Sequence, residues 1–237
     1  DAEEVPSPEE FLRHRIHRAS DLRSLQSEPL AGCRLVHGES DLLPGLVIDR
    51  YADVYVIQAT TAWMDAHSPL IAQVLQDLFE VRCVLARNDV GVRKFERLGE
   101  EIVLLAGEAV ERVTIEEGGI QHTVRPYAGQ KTGMYLDQRP ARQRVRELAQ
   151  GAKVLDLCCY QGGFSVSALA GGAESVTAVD QSETALELAT EICQLNGHGA
   201  LETIQGNVFD VVRDLRVENR QFDLIILDPP AFCKSRR

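Results

Sequence analysis

No stretch of this sequence is long or apolar enough to cross a membrane, and no signal peptide is visible at its start. CxxC pairs are absent: the six cysteines are scattered at positions 33, 83, 158, 159, 193 and 233. That spacing gives neither a disulfide framework nor a metal cluster, so free thiols in a reducing, cytoplasmic compartment are expected, with no metal. Positive charge is in deficit, 25 Lys and Arg against 36 Asp and Glu, a formal net charge of −11. Broad nonspecific binding to nucleic acid is thereby disfavoured, and any RNA contact has to be local. GxGxxG is missing as well, which disfavours a nicotinamide enzyme. What is present is an ordinary apolar fraction, 44% of 237 residues, enough for one large or two small domains. The sequence opens on Asp1 rather than methionine, so it is expected to begin inside a longer gene product or after unordered residues.

The rest of the chain is organised around KVLDLCCYQGGFS, Lys153 to Ser165. A short apolar run carrying Asp156 passes through Cys158, Cys159 and Tyr160 to the pair Gly162 and Gly163, and then an apolar pattern resumes. This reads as a buried strand, a glycine turn and a helix start. Such a turn lets backbone approach a ligand and offers free N–H groups, although a glycine turn can also serve only to pack helix on sheet. Downstream, SVTAVD ends in Asp180, which suits ribose hydroxyls or the cap of the next helix. GNVFD follows a third strand, where the Asn207 amide can read an adenine edge, and FDLIILDPPAF places Asp228 beyond a fourth. Four polar tips on successive parallel strands describe one crevice.

These motifs, with DPPAFCKS, resemble the ordered motifs of class I S-adenosylmethionine-dependent methyltransferases. Together with PYAGQKTGMYLDQR (Pro126 to Arg139) and GESDLLPGLVIDRY (Gly38 to Tyr51), they resemble the bacterial large-subunit ribosomal RNA 5-methylcytosine methyltransferase I family, from about Arg34 to the last residue. The resemblance implies an α/β fold: a Rossmann-like methyltransferase sheet lacking its C-terminal strands, preceded by a small α+β domain. It implies S-adenosylmethionine as cofactor and large-subunit ribosomal RNA as partner, with a homodimer left open. Lys131, Thr132 and Gln138 are then expected at the methionine end, and Asp156, Tyr160, Gly162, Gly163, Asp180, Asn207 and Asp228 around the rest of the cofactor. Cytosine C5 is a poor nucleophile, so its methylation uses a cysteine thiolate that adds at C6. Asp228 is expected near the base N3 and Phe232 stacked on the base. The family's attacking cysteine lies in a later Ser-Cys-Ser segment; Cys233 reads as incidental, and Cys158 and Cys159 as buried. A guanine-N7 RNA methyltransferase, whose family shares a KTG linker and a DPP-plus-Phe motif, is the alternative. A noncatalytic RNA- or cofactor-binding protein is another.

In chain order, residues 1–30 read as an acidic lead-in and a basic helix over Glu10 to Leu25, its arginines either facing RNA or paired with acidic neighbours. Residues 31–125 read as the α+β unit: strands Leu46 to Asp49 and Val54 to Gln58, a helix over Asp65 to Phe79, a strand over Cys83 to Ala86, and a hairpin of Ala109 to Thr114 with Ile120 to Val124. Glu39, Asp41 and Asp49 are expected in turn and hairpin roles. In the family this domain lies between an RNA-binding PUA domain, which is not seen here, and the methyltransferase. Residues 126–152 read as a linker and an arginine-rich helix, with Arg139, Arg142, Arg144 and Arg146 open to RNA or to the domain's own carboxylates. Residues 153–237 are the partial cofactor domain, in which Phe222 to Leu227 is expected to have an uncovered edge.

Overall fold

The computed structural model describes residues 5–25, 31–199 and 201–230. The chain divides into two compact units, residues 1–116 with 124–136, and residues 117–123 with 137–237. The segment expected as a linker is thus shared: Val124–Leu136 goes with the first unit and the arginine-rich helix with the second.

The first unit begins with α1 (Pro8–Ser24), opened by a reciprocal capping box in which Ser7 and Glu10 satisfy each other's backbone N–H. Its buried stripe is Leu12, Ile16 and Ala19. Five strands follow in spatial order β1 (Gly32–His37), β2 (Leu46–Tyr51), β3 (Val54–Ala59), β4 (Cys83–Arg87) and β5 (Ile102–Gly107), with α2 (Ala62–Ala66) and α3 (Ser68–Leu78) between β3 and β4. All pairs are antiparallel except β3 with β4, which the helical crossover makes parallel. Alternation divides the sheet cleanly. Ile48, Tyr55 and Ile57 meet Leu12, Ile16, Ile71 and Leu75, while Tyr51, Val54 and Val56 meet Val113, Ile115, Val124 and Met134.

Three expectations need correction here. The helix read over Asp65 to Phe79 is two helices, because Ser68 and Pro69 restart the chain in a new first turn. β1 and β5 were not expected; β5 is a short apolar run whose period cannot distinguish strand from helix. The hairpin strand expected over Ala109 to Thr114 is β6 (Val113–Glu117), paired with β7 (Ile120–Val124) across Gly118 and Gly119.

The second unit is an alternating α/β layer: α4 (Arg139–Leu148), β8 (Lys153–Leu157), α5 (Gly163–Ala170), β9 (Ser175–Asp180), α6 (Glu183–Leu195), β10 (Leu201–Gln205), α7 (Val208–Val217) and β11 (Leu224–Leu227). Every strand pair is parallel and the order is β10-β9-β8-β11, so the strand order reverses beside β8. Ligands of open parallel sheets bind at that reversal, outside the carboxyl ends of the strands. Val154, Val176 and Ile226 pack under α5 and α6, and Leu155, Leu157 and Val179 under α7. Among the described residues β11 ends the strand order, in keeping with the expected uncovered edge, and Ile225 and Leu227, 59% and 63% exposed, leave one of its faces uncovered as well. Among the described residues no helix is long and apolar enough to cross a membrane.

Candidate cofactor-binding site

The strand β8 delivers Asp156 to the centre of the sheet, where it is wholly buried. The Ser165 hydroxyl on α5 donates to Asp156 Oδ2 at 2.6 Å. The other oxygen, Oδ1, is buried and has no hydrogen-bond partner among the described residues. Burial pushes this carboxyl up to about 7; the Ser165 hydrogen bonds work against that, and the charges of Asp228 and Asp180 add to it.

Beyond β8 the backbone bends sharply, with Cys158, Tyr160 and Gly162 in the left-handed region at φ 61, 48 and 68°. Two of these carry a Cβ and disfavour that conformation, so the surroundings must hold it. Asp180 does much of this: Oδ2 accepts the Tyr160 N–H and Oδ1 the Ser182 N–H, each at 2.9 Å. The Cys159 N–H donates to the Val179 carbonyl at 3.0 Å, tying the bend to β9. Asp180 therefore fixes the turn, while Ser182, not Asp180, is the N-cap of α6. Gly162 is needed for its φ and because a Cβ there would lie 2.7 Å from the Ala189 Cβ. A Cβ on Gly163 would lie 3.3 Å from Arg142 Cδ. The space that these glycines clear is thus filled by α6 and by Arg142.

At the remaining tips, the Asn207 side chain caps α7 by accepting the Phe209 N–H at 2.9 Å. Asp228 is exposed and accepts a hydrogen bond from Gln138 Nε2 at 3.3 Å. Asp156, Tyr160, Gly162, Gly163, Asp180, Asn207, Asp228 and Gln138 all belong to the second unit. Lys131 and Thr132 belong to the first. Thr132 there is fully buried, donating to Asp49 at 2.5 Å and sharing a 2.8 Å hydrogen bond with Tyr51. Lys131 lies over the Tyr135 ring at 4.3 Å. Phe232 and Cys233 lie outside the described residues.

The arginines on α4 answer the question left by their spacing. Arg139 and Arg142 both bind Glu117, Arg144 pairs with Glu147, and Arg146 donates to the Gly118 carbonyl. They serve the unit's own acceptors. Beside Arg142, the buried His122 has its Nε2 without a partner among the described residues. Burial, then repulsion by Arg142, lowers this imidazole to about 4, with Glu117 opposing. In the first unit Asp41 closes the turn at Gly38–Asp41, where it accepts the His37 N–H at 2.6 Å, and Asp49 lies on the β2–β3 hairpin; both are also ion-pair partners. Asp41 binds Arg23 through both oxygens, at 2.6 and 2.7 Å, and the fully buried Asp49 binds Arg34. On the basic helix Arg13 likewise pairs with Glu9 and Asp77.

Sequence reasoning gave no role to Ser165 or His122, and gave Glu117 only a place at the hairpin turn. Glu117 and His122 act only once the fold brings them to Arg142, and Ser165 lies inside the motif itself, nine residues after Asp156, where hydrophobic period does not mark its bond. Chemically, the strand ends present a buried acceptor lacking a donor with two further carboxylates coupled to it. That arrangement fits a ligand carrying N–H groups and positive charge, as the sulfonium and ammonium groups of S-adenosylmethionine do. Thiol chemistry is a poorer fit: burial raises Cys83, Cys158 and Cys159, and pushes Cys193 up to about 12.

The chain is 42% identical to a ribosomal RNA large subunit methyltransferase I from Aeromonas hydrophila, over 100% of this chain and 61% of that protein. It is 41% identical to the protein of the same name from Pseudoalteromonas atlantica, over 95% of this chain and 58% of that protein. The chain thus spans about three fifths of the length of these relatives. Among solved structures, a candidate methyltransferase complexed with SAH superposes with a TM-score of 0.85 at 26% identity, covering 98% of this chain and 60% of that one. A SAM-dependent methyltransferase from Agrobacterium tumefaciens matches at TM-score 0.66 and 20% identity over 86% of this chain and 62% of that one, which speaks for the fold. The family profile of S-adenosylmethionine-dependent methyltransferases matches residues 86–236, which take in the whole strand edge described above. On that match, and with the sheet and its acidic edge in agreement, the chain belongs to the S-adenosylmethionine-dependent methyltransferase family.

Proposed function

We propose that this chain carries the donor-binding part of a cytoplasmic enzyme that transfers a methyl group from S-adenosylmethionine to C5 of a cytosine in large-subunit ribosomal RNA. The observation that carries the donor assignment is the buried, donorless oxygen of Asp156 beside Asp180 and Asp228 at the reversal of a parallel sheet. The relatives' names support the RNA substrate. When bound, the donor supplies an electrophilic methyl group. Asp180, with each oxygen already holding one backbone N–H, keeps further lone pairs for ribose hydroxyls. In this reading Asp228, exposed and steadied by Gln138, meets the edge of the base and balances charge developing at its N3. Addition at C6 needs a thiolate, and Cys83, Cys158, Cys159 and Cys193 are each held toward the neutral thiol. The nucleophile of this reading is therefore none of those four.

The test is methyl transfer by the intact protein from labelled S-adenosylmethionine to large-subunit RNA, followed by mass spectrometry of the nucleosides. Label in 5-methylcytidine, and a covalent adduct with RNA containing 5-fluorocytosine, are the expected results. Label in N7-methylguanosine, or none, overturns the cytosine assignment.

A further inference from the structure

A buried serine inside a helix ordinarily returns its hydroxyl to the carbonyl four residues earlier. Ser167 does this, donating to the Gly163 carbonyl at 2.8 Å. Ser165, two residues before it in the first turn of α5 and wholly buried, has no carbonyl of its own helix four residues back, and it reaches across to the neighbouring strand and donates to Asp156 Oδ2. One oxygen of the carboxylate is thereby committed, and the donorless one is Oδ1. Among the described residues, the titratable groups that face Asp156 are the carboxylates of Asp180 at the end of β9 and Asp228 after β11, and the thiols of Cys158 and Cys159 in the turn and of Cys193 on α6.

We propose, resting on the donor-binding reading above, that Ser165 is a positioning residue for the methyl donor. It pins one oxygen of Asp156 so that the other accepts from the cationic end of the donor, and donor binding drives a proton off this carboxyl. The physical basis is competition for one group. In the free protein, burial and two neighbouring carboxylates favour protonated Asp156 until about neutral pH, with only the Ser165 hydrogen bonds opposing them. A cation arriving at Oδ1 favours the ionised form, and the proton leaves to solvent. Ser165 contributes twice, by lowering the pH at which the free carboxyl ionises and by fixing which oxygen is presented.

The test is isothermal titration of S-adenosylmethionine into the intact protein between pH 5.5 and 8.5, in buffers of different ionisation heat. Proton release per donor bound should approach roughly one below the midpoint and vanish above it, and affinity should rise about tenfold per pH unit below the midpoint. In Ser165→Ala the midpoint should move up by about one pH unit, because a hydrogen bond to the ionised form is lost. Ser165→Thr, which keeps the hydroxyl, should return it toward wild type. Asp156→Asn should bind without proton release at any pH. Wild-type binding that releases no proton between pH 6 and 7, or a Ser165→Ala loss of the same factor at every pH, overturns the proposal and leaves the donor-binding reading standing. Absence of donor binding by the wild type at every pH overturns both. The wild-type proton count decides the matter even where a variant does not fold.

Discussion

Glu117 grips the buried guanidinium of Arg142 with both carboxylate oxygens, each bond 2.8 Å long. Burial alone would raise the Glu117 carboxyl, and the bonds to Arg142 and Arg139 outweigh it and hold the group below its ordinary range. Breaking such a pair from one side strands the remaining charge. Glu117→Gln should therefore destabilise the second unit by about 3 kcal/mol, read as a lower urea midpoint by tryptophan-independent circular dichroism.

Asp156 gives the opposite sign. Its carboxyl ionises near pH 7 when folded and near the ordinary carboxylate value when unfolded. Between those values the folded state holds a proton that the unfolded state has lost, so this group lowers stability as pH rises from about 4 to 7. Asp156→Asn should remove that fall, a difference on the order of a few kcal/mol at pH 8, measured by urea unfolding of both proteins at pH 5 and pH 8. Equal differences at the two pH values would contradict it.

The two glycines of the turn should behave unequally on substitution by alanine. At Gly162 the left-handed backbone and the Ala189 Cβ at 2.7 Å both resist a methyl group, and Gly162→Ala should cost about 2 to 3 kcal/mol. Gly163 has no such backbone demand, and its closest neighbour is a side-chain carbon of Arg142 at 3.3 Å. Gly163→Ala gains helix propensity of about 1 kcal/mol against that contact and should stay within about 1 kcal/mol of wild type. Parallel urea titrations rank the pair.

Asp180 holds the turn and, on the proposed reading, the donor. Asp180→Ala frees the Tyr160 and Ser182 N–H groups together and should lower S-adenosylmethionine affinity at least about tenfold, corresponding to one lost charged hydrogen bond. Titration calorimetry at pH 8, where the Asp156 proton no longer intervenes, gives the comparison.

In the first unit, Arg93 is 1% exposed and binds the Ala59 and Gly99 carbonyls and Asp65. Arg93→Met should cost about 3 kcal/mol or more, since it leaves three acceptors without their donor. Chemical denaturation of the variant checks it, and an unchanged midpoint would show that water replaces the guanidinium.

Most of the second unit was legible in the sequence, because its elements alternate and each strand ends in a polar or glycine tip: Asp156 with Gly162, Asp180, Asn207 and Asp228 all stand where the motifs put them along β8 to β11. What those residues touch was not legible. The Asn207 side-chain oxygen caps a helix, and the room made by Gly162 is taken by Ala189, twenty-seven positions away. The Asp156 to Ser165 bond, the Glu117 clamp and the Asp49 to Arg34 pair are tertiary, and hydrophobic period carries no information about them. β5 was missed because an edge strand of consecutive apolar residues has no period to detect.

His122 changes what an acid titration of this protein would display. Its imidazole loses its proton near pH 4 in the folded unit and near 6.5 once released, so unfolding takes up a proton across the interval in which Asp156 gives one away. The two exchanges offset, and a nearly level stability profile through mild acid would conceal two steep ones. Replacing either residue alone would uncover the other.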